Sequence, residues 1–402
     1  MRLTSFIATA LALTASAAAA ENHYSAMLAD TGLGATAATL AALPNPTPSD
    51  QFALGGVQFL SVVEGALQTR YTYGMSGELT DILELPLLRL PIFDNPTPAP
   101  FSPAVVNTIF ADALVDLDAA LTPLDTITND DDVAVTINVD DIWFDINMND
   151  GRDDGEGFFD VLSGDLDRRL TPDTPALTIR FDTADAAWLS AYAHLLSGVS
   201  ETLLALDPAS ALTTTMDTGA VLDGLRGVPF EDRNFFFIPP EGPVYIDIIA
   251  GALLAFEGQP DVTRSRAAHA HFLGMIADNK TFWSRVASET DNDNEWIPNK
   301  NQQSAMPIAF PPETGQMWRR VLADGEALLN GDLLIPHWRM GPNAGINLNT
   351  LMQNPPPLDV VGILQGRTIA PYAEQGRLID SRNLMAFDRM VGGNAPLFMV
   401  LL

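Results

Sequence analysis

The chain has 402 residues, 51 of them acidic and 21 basic, for a formal net charge of −30. A field of that sign repels phosphate backbones and anionic lipid and gathers cations, which excludes nucleic-acid binding first; adaptation to a saline medium accounts for the overall charge equally well. With 47% hydrophobic residues and no cysteine, the chain can bury a core without covalent staples, and disulfides, thiolate metal sites and a lipid-bearing cysteine are ruled out.

At the start, Arg2 precedes an apolar stretch from Phe6 to Leu13, and Ala18-Ala19-Ala20 supplies the small residues of a cleavage site. Residues 1–20 read as a signal peptide cut before Glu21, which predicts export to the periplasm or beyond the cell. The stretch is shorter than the roughly 20 apolar residues that span a bilayer, and no later segment stays apolar for that long, so no membrane span is expected. The single arginine argues for export in the unfolded state. Gly32-Leu33-Gly34-Ala35-Thr36-Ala37 matches a dinucleotide-binding pattern, but no strand precedes it and it carries no weight.

Apolar residues recurring every three to four positions predict helices over Phe52 to Thr69, from Ser102-Pro103 through Leu121, over Thr183 to Leu206, Tyr245 to Glu257, Arg264 to Ser288 and Glu313 to Leu329. The clearest is Thr183 to Leu206, with Asp182 and Asp185 spaced as a capping box, Trp188, Tyr192, Leu195, Val199 and Leu203 on one face, and a stop at Asp207-Pro208. Asn-Pro-Thr-Pro occurs at 45–48 and again at 95–98, each time shortly before a helix, which hints at a repeat of about fifty residues. Between the helices, Val133, Val135, Ile137 and Val139 alternate with small or polar residues, as do Leu177, Ile179 and Phe181, and these read as short strands. The expected fold is therefore mainly α, built of packed helical hairpins, with a small β insertion around residues 130–181. Residues 21–125 form an N-terminal helical region, 126–181 the insertion and 182–402 a C-terminal helical region; the two helical regions could pack as one body.

The strongest local signal runs from Asp145 to Glu156. Oxygen-bearing side chains stand at its first, third, fifth, ninth and twelfth positions, namely Asp145, Asn147, Asn149, Asp153 and Glu156. This spacing resembles the twelve-residue calcium loop of the EF-hand family, in which alternate side chains turn inward and the closing glutamate binds with both oxygens. Two departures stand out. Asp150 occupies the sixth position, where the family has glycine, with Gly151 one residue later, and Ile142-Trp143-Phe144 reads as the end of a strand where the family has a helix. The resemblance covers these twelve residues and implies calcium as the bound ion. An acidic, glycine-containing surface turn is the alternative.

Other polar groups are less specific. Asp291 to Glu295 reads as a loop that ends a helix, or as half of a site completed elsewhere. Trp296 beside it could stack on a sugar. His269 and His271 would diverge on a helix, His194 lies near the apolar face of its helix, and His337 follows Pro336 in a loop. There is no nucleophile elbow and no phosphate loop. The expectation is an exported, calcium-binding helical protein of binding or scaffolding type, its partner a protein or a glycan. The competing expectation is a secreted hydrolase or lyase acting on polysaccharide, with Trp296, Asp293, Glu295 or His337 near the cleft.

Overall fold

The computed structural model describes residues 23–76, 87–162, 177–226 and 242–402. The signal peptide read at residues 1–20 lies outside them. The chain runs through α1 (His23–Ala41), α2 (Pro48–Thr72), α3 (Ala104–Leu124), β1 (Ala134–Asn138), the short α4 (Phe158–Leu162), β2 (Thr178–Asp182), α5 (Thr183–Leu206), α6 (Pro208–Arg226), α7 (Gly242–Ala255), α8 (Val262–Val286) and α9 (Thr314–Asn330). The last part carries β3 (Ile335–Pro336), β4 (Ala344–Ile346), α10 (Leu348–Gln353), α11 (Val360–Gln365), β5 (Ala373–Gln375), α12 (Arg382–Met390) and α13 (Ala395–Leu401). The fold is mainly α, as the apolar spacing predicts.

The helix ends follow from local chemistry. Asp182 Oδ1 accepts the Ala184 N–H at 2.7 Å while the Asp182 N–H donates to Asp185 at 2.9 Å, so α5 opens on the expected capping box. It closes on Asp207, which takes a left-handed conformation (φ 49°), and Pro208 then begins α6 where its missing N–H costs nothing. A second box, Thr47 with Asp50, starts α2; each such cap stabilises its helix by about 1 kcal/mol. The other Asn-Pro-Thr-Pro copy behaves differently. Asn95 folds a turn by accepting the Thr97 N–H and tethers it to the Tyr71 carbonyl, and α3 begins only at Ala104. The recurrence is thus one of turn chemistry, and the two copies do not open equivalent helices.

The helices pack in a chain of neighbours. α1 lies on α2, α2 on α3, α3 on α5, and α5 runs along α8, which in turn meets α9 and α10. Contact between α5 and α8 is close because Gly198 leaves room for Phe272; a Cβ there would stand 2.6 Å from the ring. β1 and β2 pair antiparallel, Ala134 opposite Asp182 and Asn138 opposite Thr178, so the expected insertion is a two-stranded ribbon. Two apolar cores result. One joins α1, α2 and α3 with β1 and residues 142–146, the other joins β2, α8, α9 and α12 with residues 296–308, and Phe158, Phe181 and Trp188 pack against both. A second sheet, in the order β3-β4-β5, has strands of two or three residues that no alternation announces.

Candidate functional site

The acidic loop rises from a narrow neck. Trp143 and Gly157 form an antiparallel bridge, the Phe144 N–H donates to the Glu156 carbonyl at 2.8 Å, and the Phe158 N–H donates to the Ile142 carbonyl at 3.0 Å. Trp143 ties this neck to α1, because its indole N–H donates to the Leu28 carbonyl and its ring rests on Gly32. Gly32 kinks α1 with φ 71°, and a Cβ there would lie 2.8 Å from the ring. The glycine that mimicked a dinucleotide motif is therefore a packing device.

Within the loop, Asp145 accepts the backbone N–H groups of Asn149 and Asp150, each at 3.0 Å. The side-chain amides of Asn147 and Asn149 both donate to Asp153 at 2.7 Å. Four of the five sequence-selected residues thus gather on the outer side of the loop. The fifth, Glu156, is buried beneath them, its two oxygens accepting the N–H groups of Ile146 (2.9 Å) and Asp153 (2.7 Å). The left-handed turns fall on Met148 and Asp150, both at φ 61°, and on Gly155 at φ 93°. Asp150 at the sixth position thus takes a conformation that glycine adopts more cheaply, at a cost of about 1–2 kcal/mol. From α2, Glu64 accepts the Asp145 N–H and Gln68 donates to the Asp145 carbonyl. Burial, then the charges of Asp145 and Glu156, push Glu64 up to about 7. Chemically the loop offers exposed amide and carboxylate oxygens to a hard cation, which would take over from the amide N–H groups now serving Asp153.

A second acidic group assembles from distant positions. Asp182 at the end of β2, Glu289 beyond α8 and Glu295 bring carboxylate oxygens within 4.8 Å of one another. Glu295 is held by parallel bridges to Arg180 and Ser304, and its side chain accepts the Asp293 N–H. Burial, then the charge of Asp182, pushes Glu289 up to about 8; burial likewise raises Asp182, Glu295 and the wholly enclosed Asp185. Asp182 and Glu289 line a polar cleft of about 370 Å³ that also receives Arg180, Arg285 and Asp291. Glu295 was visible in the sequence as half a site; Asp182 read only as a cap and Glu289 gave no signal.

The third feature is an apolar cavity of about 290 Å³ between α1, α2, the β ribbon and α5. Leu28, Val57, Ile137, Leu189, Trp188 and Trp296 line it among others, and nearly all of its wall is aliphatic or aromatic. The Tyr24 hydroxyl at its edge is already committed to Asp50 at 2.9 Å. Trp296 is 9% exposed, its ring 5.4 Å from Trp188 and 6.1 Å from Phe181, and its indole N–H has no hydrogen-bond partner among the described residues. Trp296 therefore does not offer a sugar an open stacking face, because interior aromatic rings cover it. Ile142 and Phe158, joined at the neck of the acidic loop, both line this cavity.

The histidines separate as helical spacing requires. His269 is buried, its Nε2 2.8 Å from the Leu329 carbonyl and its Nδ1 near the Gln353 amide. His271 turns the other way and meets His194 of α5. His337 stands beside Trp338 and Gly366 in the C-terminal part. No helix among the described residues is long and apolar enough to cross a membrane. In comparison with known proteins, no family model, no curated protein and no solved structure matches the chain.

Proposed function

We propose that this chain is an exported binding protein that holds a small, mostly apolar molecule in the cavity beside Trp296, and that calcium at Asp145, Asn147, Asn149, Asp153 and Glu156 steadies one wall of that cavity. The observation that carries this reading is the cavity itself. It is roughly twice the ~150 Å³ engineered cavity that admits benzene, and polar groups are few enough along it to leave water poorly held. A buried indole N–H without a partner costs free energy, which a ligand oxygen could recover. The ligand class is thus a two-ring aromatic or a short acyl chain bearing one hydrogen-bond acceptor. The link to calcium is covalent and short, since the loop and the wall residues Ile142 and Phe158 share one neck.

The test is a fluorescence titration with 2-acetylnaphthalene and with naphthalene, which lacks the acceptor. The ketone binds one to one and more tightly, and Trp296→Phe removes the difference of about tenfold that one hydrogen bond provides. Gly56→Leu extends into the cavity from α2, where the nearest atom to a new Cβ is 3.9 Å away, and it abolishes binding of both. Saturable binding of neither compound, or binding indifferent to Gly56→Leu, would sink the reading.

The polysaccharide-active hydrolase or lyase keeps one observation in its favour, the polar cleft where Glu289 can hold a proton at neutral pH as a general acid must. Release of reducing ends from an acidic or neutral glycan, lost in Glu289→Gln, would favour it; no turnover across a glycan panel would set it aside.

A further inference from the structure

The close approach of α5 and α8 has a chemical product. Gly198 admits the ring of Phe272, and one turn away Gly274 lies against the imidazole of His194, with no room for a Cβ farther than 3.0 Å from that ring. The two helices therefore press His194 and His271 together, Nδ1 to Nδ1 at 2.9 Å, with ring planes inclined at 49°. Both rings are half-buried, and His194 Nε2 stands 3.7 Å from Asp278. Neither ring serves the cavity or the acidic loop.

We propose that His194 and His271 form a binding site for a borderline divalent transition metal such as Zn²⁺, with both Nδ1 atoms as ligands. Two imidazole nitrogens on one zinc, each about 2.0–2.1 Å from it, lie about 3.0–3.4 Å apart, so the observed spacing needs a change of a few tenths of an ångström. Metal binding displaces the proton that the two Nδ1 atoms share in their hydrogen bond, and Asp278, 3.7 Å behind His194, has to close by about half an ångström to accept a hydrogen bond from Nε2–H and hold the ring with Nδ1 towards the metal. Only neutral imidazole ligates, and burial of both rings, together for His194 with the neighbouring His271, holds them below the usual histidine range. Asp118, Asp125 and Glu201 also bear electrostatically on the pair and draw cations towards it. Water completes the coordination, since two nitrogens leave positions open. Hard, oxygen-seeking calcium would not compete for such a site, which separates it from the acidic loop.

Isothermal titration of the full mature protein with Zn²⁺, in saturating calcium, tests the site. One equivalent binds; His194→Gln and His271→Gln each weaken it at least tenfold, while His337→Gln leaves it unchanged. Should a glutamine variant fold poorly, the unaltered protein answers the same question through diethyl pyrocarbonate labelling read by peptide mass spectrometry. Zn²⁺ then protects His194 and His271 together and leaves His337 reactive. Absence of zinc binding, binding that survives loss of either histidine, or labelling of the pair unaffected by zinc overturns the assignment.

Discussion

The acidic loop at 145–156 and the acidic cleft at Asp182, Glu289 and Glu295 are made of the same residue types, yet they behave as opposites. In the loop the carboxylates of Asp145 and Asp153 face outward and are met by backbone and amide N–H groups from within twelve residues. In the cleft, carboxylates contributed by the end of β2 and by the segment that follows α8 are pressed together and partly dehydrated, so their protonated forms gain. An acid count cannot tell these apart; what decides is how far the carboxylates are withdrawn from water and how closely they crowd one another. The water-facing loop is ready to exchange its internal bonds for a cation, whereas the crowded, part-buried cluster relieves its repulsion by holding protons, even though Asp182, Glu289 and Glu295 each accept a hydrogen bond.

The largest effect is expected at Glu156. Its buried oxygens satisfy two backbone N–H groups, so Glu156→Ala lowers unfolding free energy by about 3 kcal/mol already in chelator, and in calcium it forfeits the ion's contribution as well. Denaturant titration checks this, and a loss below about 1 kcal/mol would mean the glutamate does not hold the loop. Next in size is the calcium effect. At a hundredfold excess over Kd the ion adds about 2.7 kcal/mol to the folded state. Asp145→Ala removes that gain while changing little in chelator, because its partners are exposed to water; thermal unfolding with and without chelator measures both.

The smallest effect sharpens the cleft. The folded-state value of Glu289, about 8, lies above its ordinary value, so the stabilisation from its proton is complete at low pH and is lost as pH rises through about 8. In chelator, the melting temperature therefore falls between pH 7 and 9, with Glu64, held at about 7, contributing to the lower part of the fall, and Glu289→Gln removes the upper part. His194 and His271, held below the usual histidine range, titrate outside this window. An equally steep fall in the glutamine variant would place the titrating group elsewhere.

What could be read from the sequence follows the same division between local and assembled. α5 was legible to the residue at both ends, since Asp182, Asp185, Asp207 and Pro208 set its limits within a turn. The β ribbon was legible from its alternation, and the acidic loop from its spacing. α1 was not, because its small residues carry little periodicity and Gly32 interrupts it. The short strands β3, β4 and β5 are too brief to alternate. The cavity is built from α1, α2, the ribbon and α5, and the contact of His194 with His271 spans 77 positions, so each depends on packing that no local pattern records. Sequence spacing drew attention to His269 beside His271, yet the imidazole that His271 meets lies on another helix.

The most direct test of a calcium-steadied apolar site is titration of 2-acetylnaphthalene into the mature protein, once with saturating calcium and once with chelator. One saturable site is expected in both, several-fold tighter with calcium, with Asp145→Ala holding the weaker value under both conditions. Equal affinity with and without the ion would uncouple the loop from the cavity, and no saturable binding in either would contradict the ligand site itself.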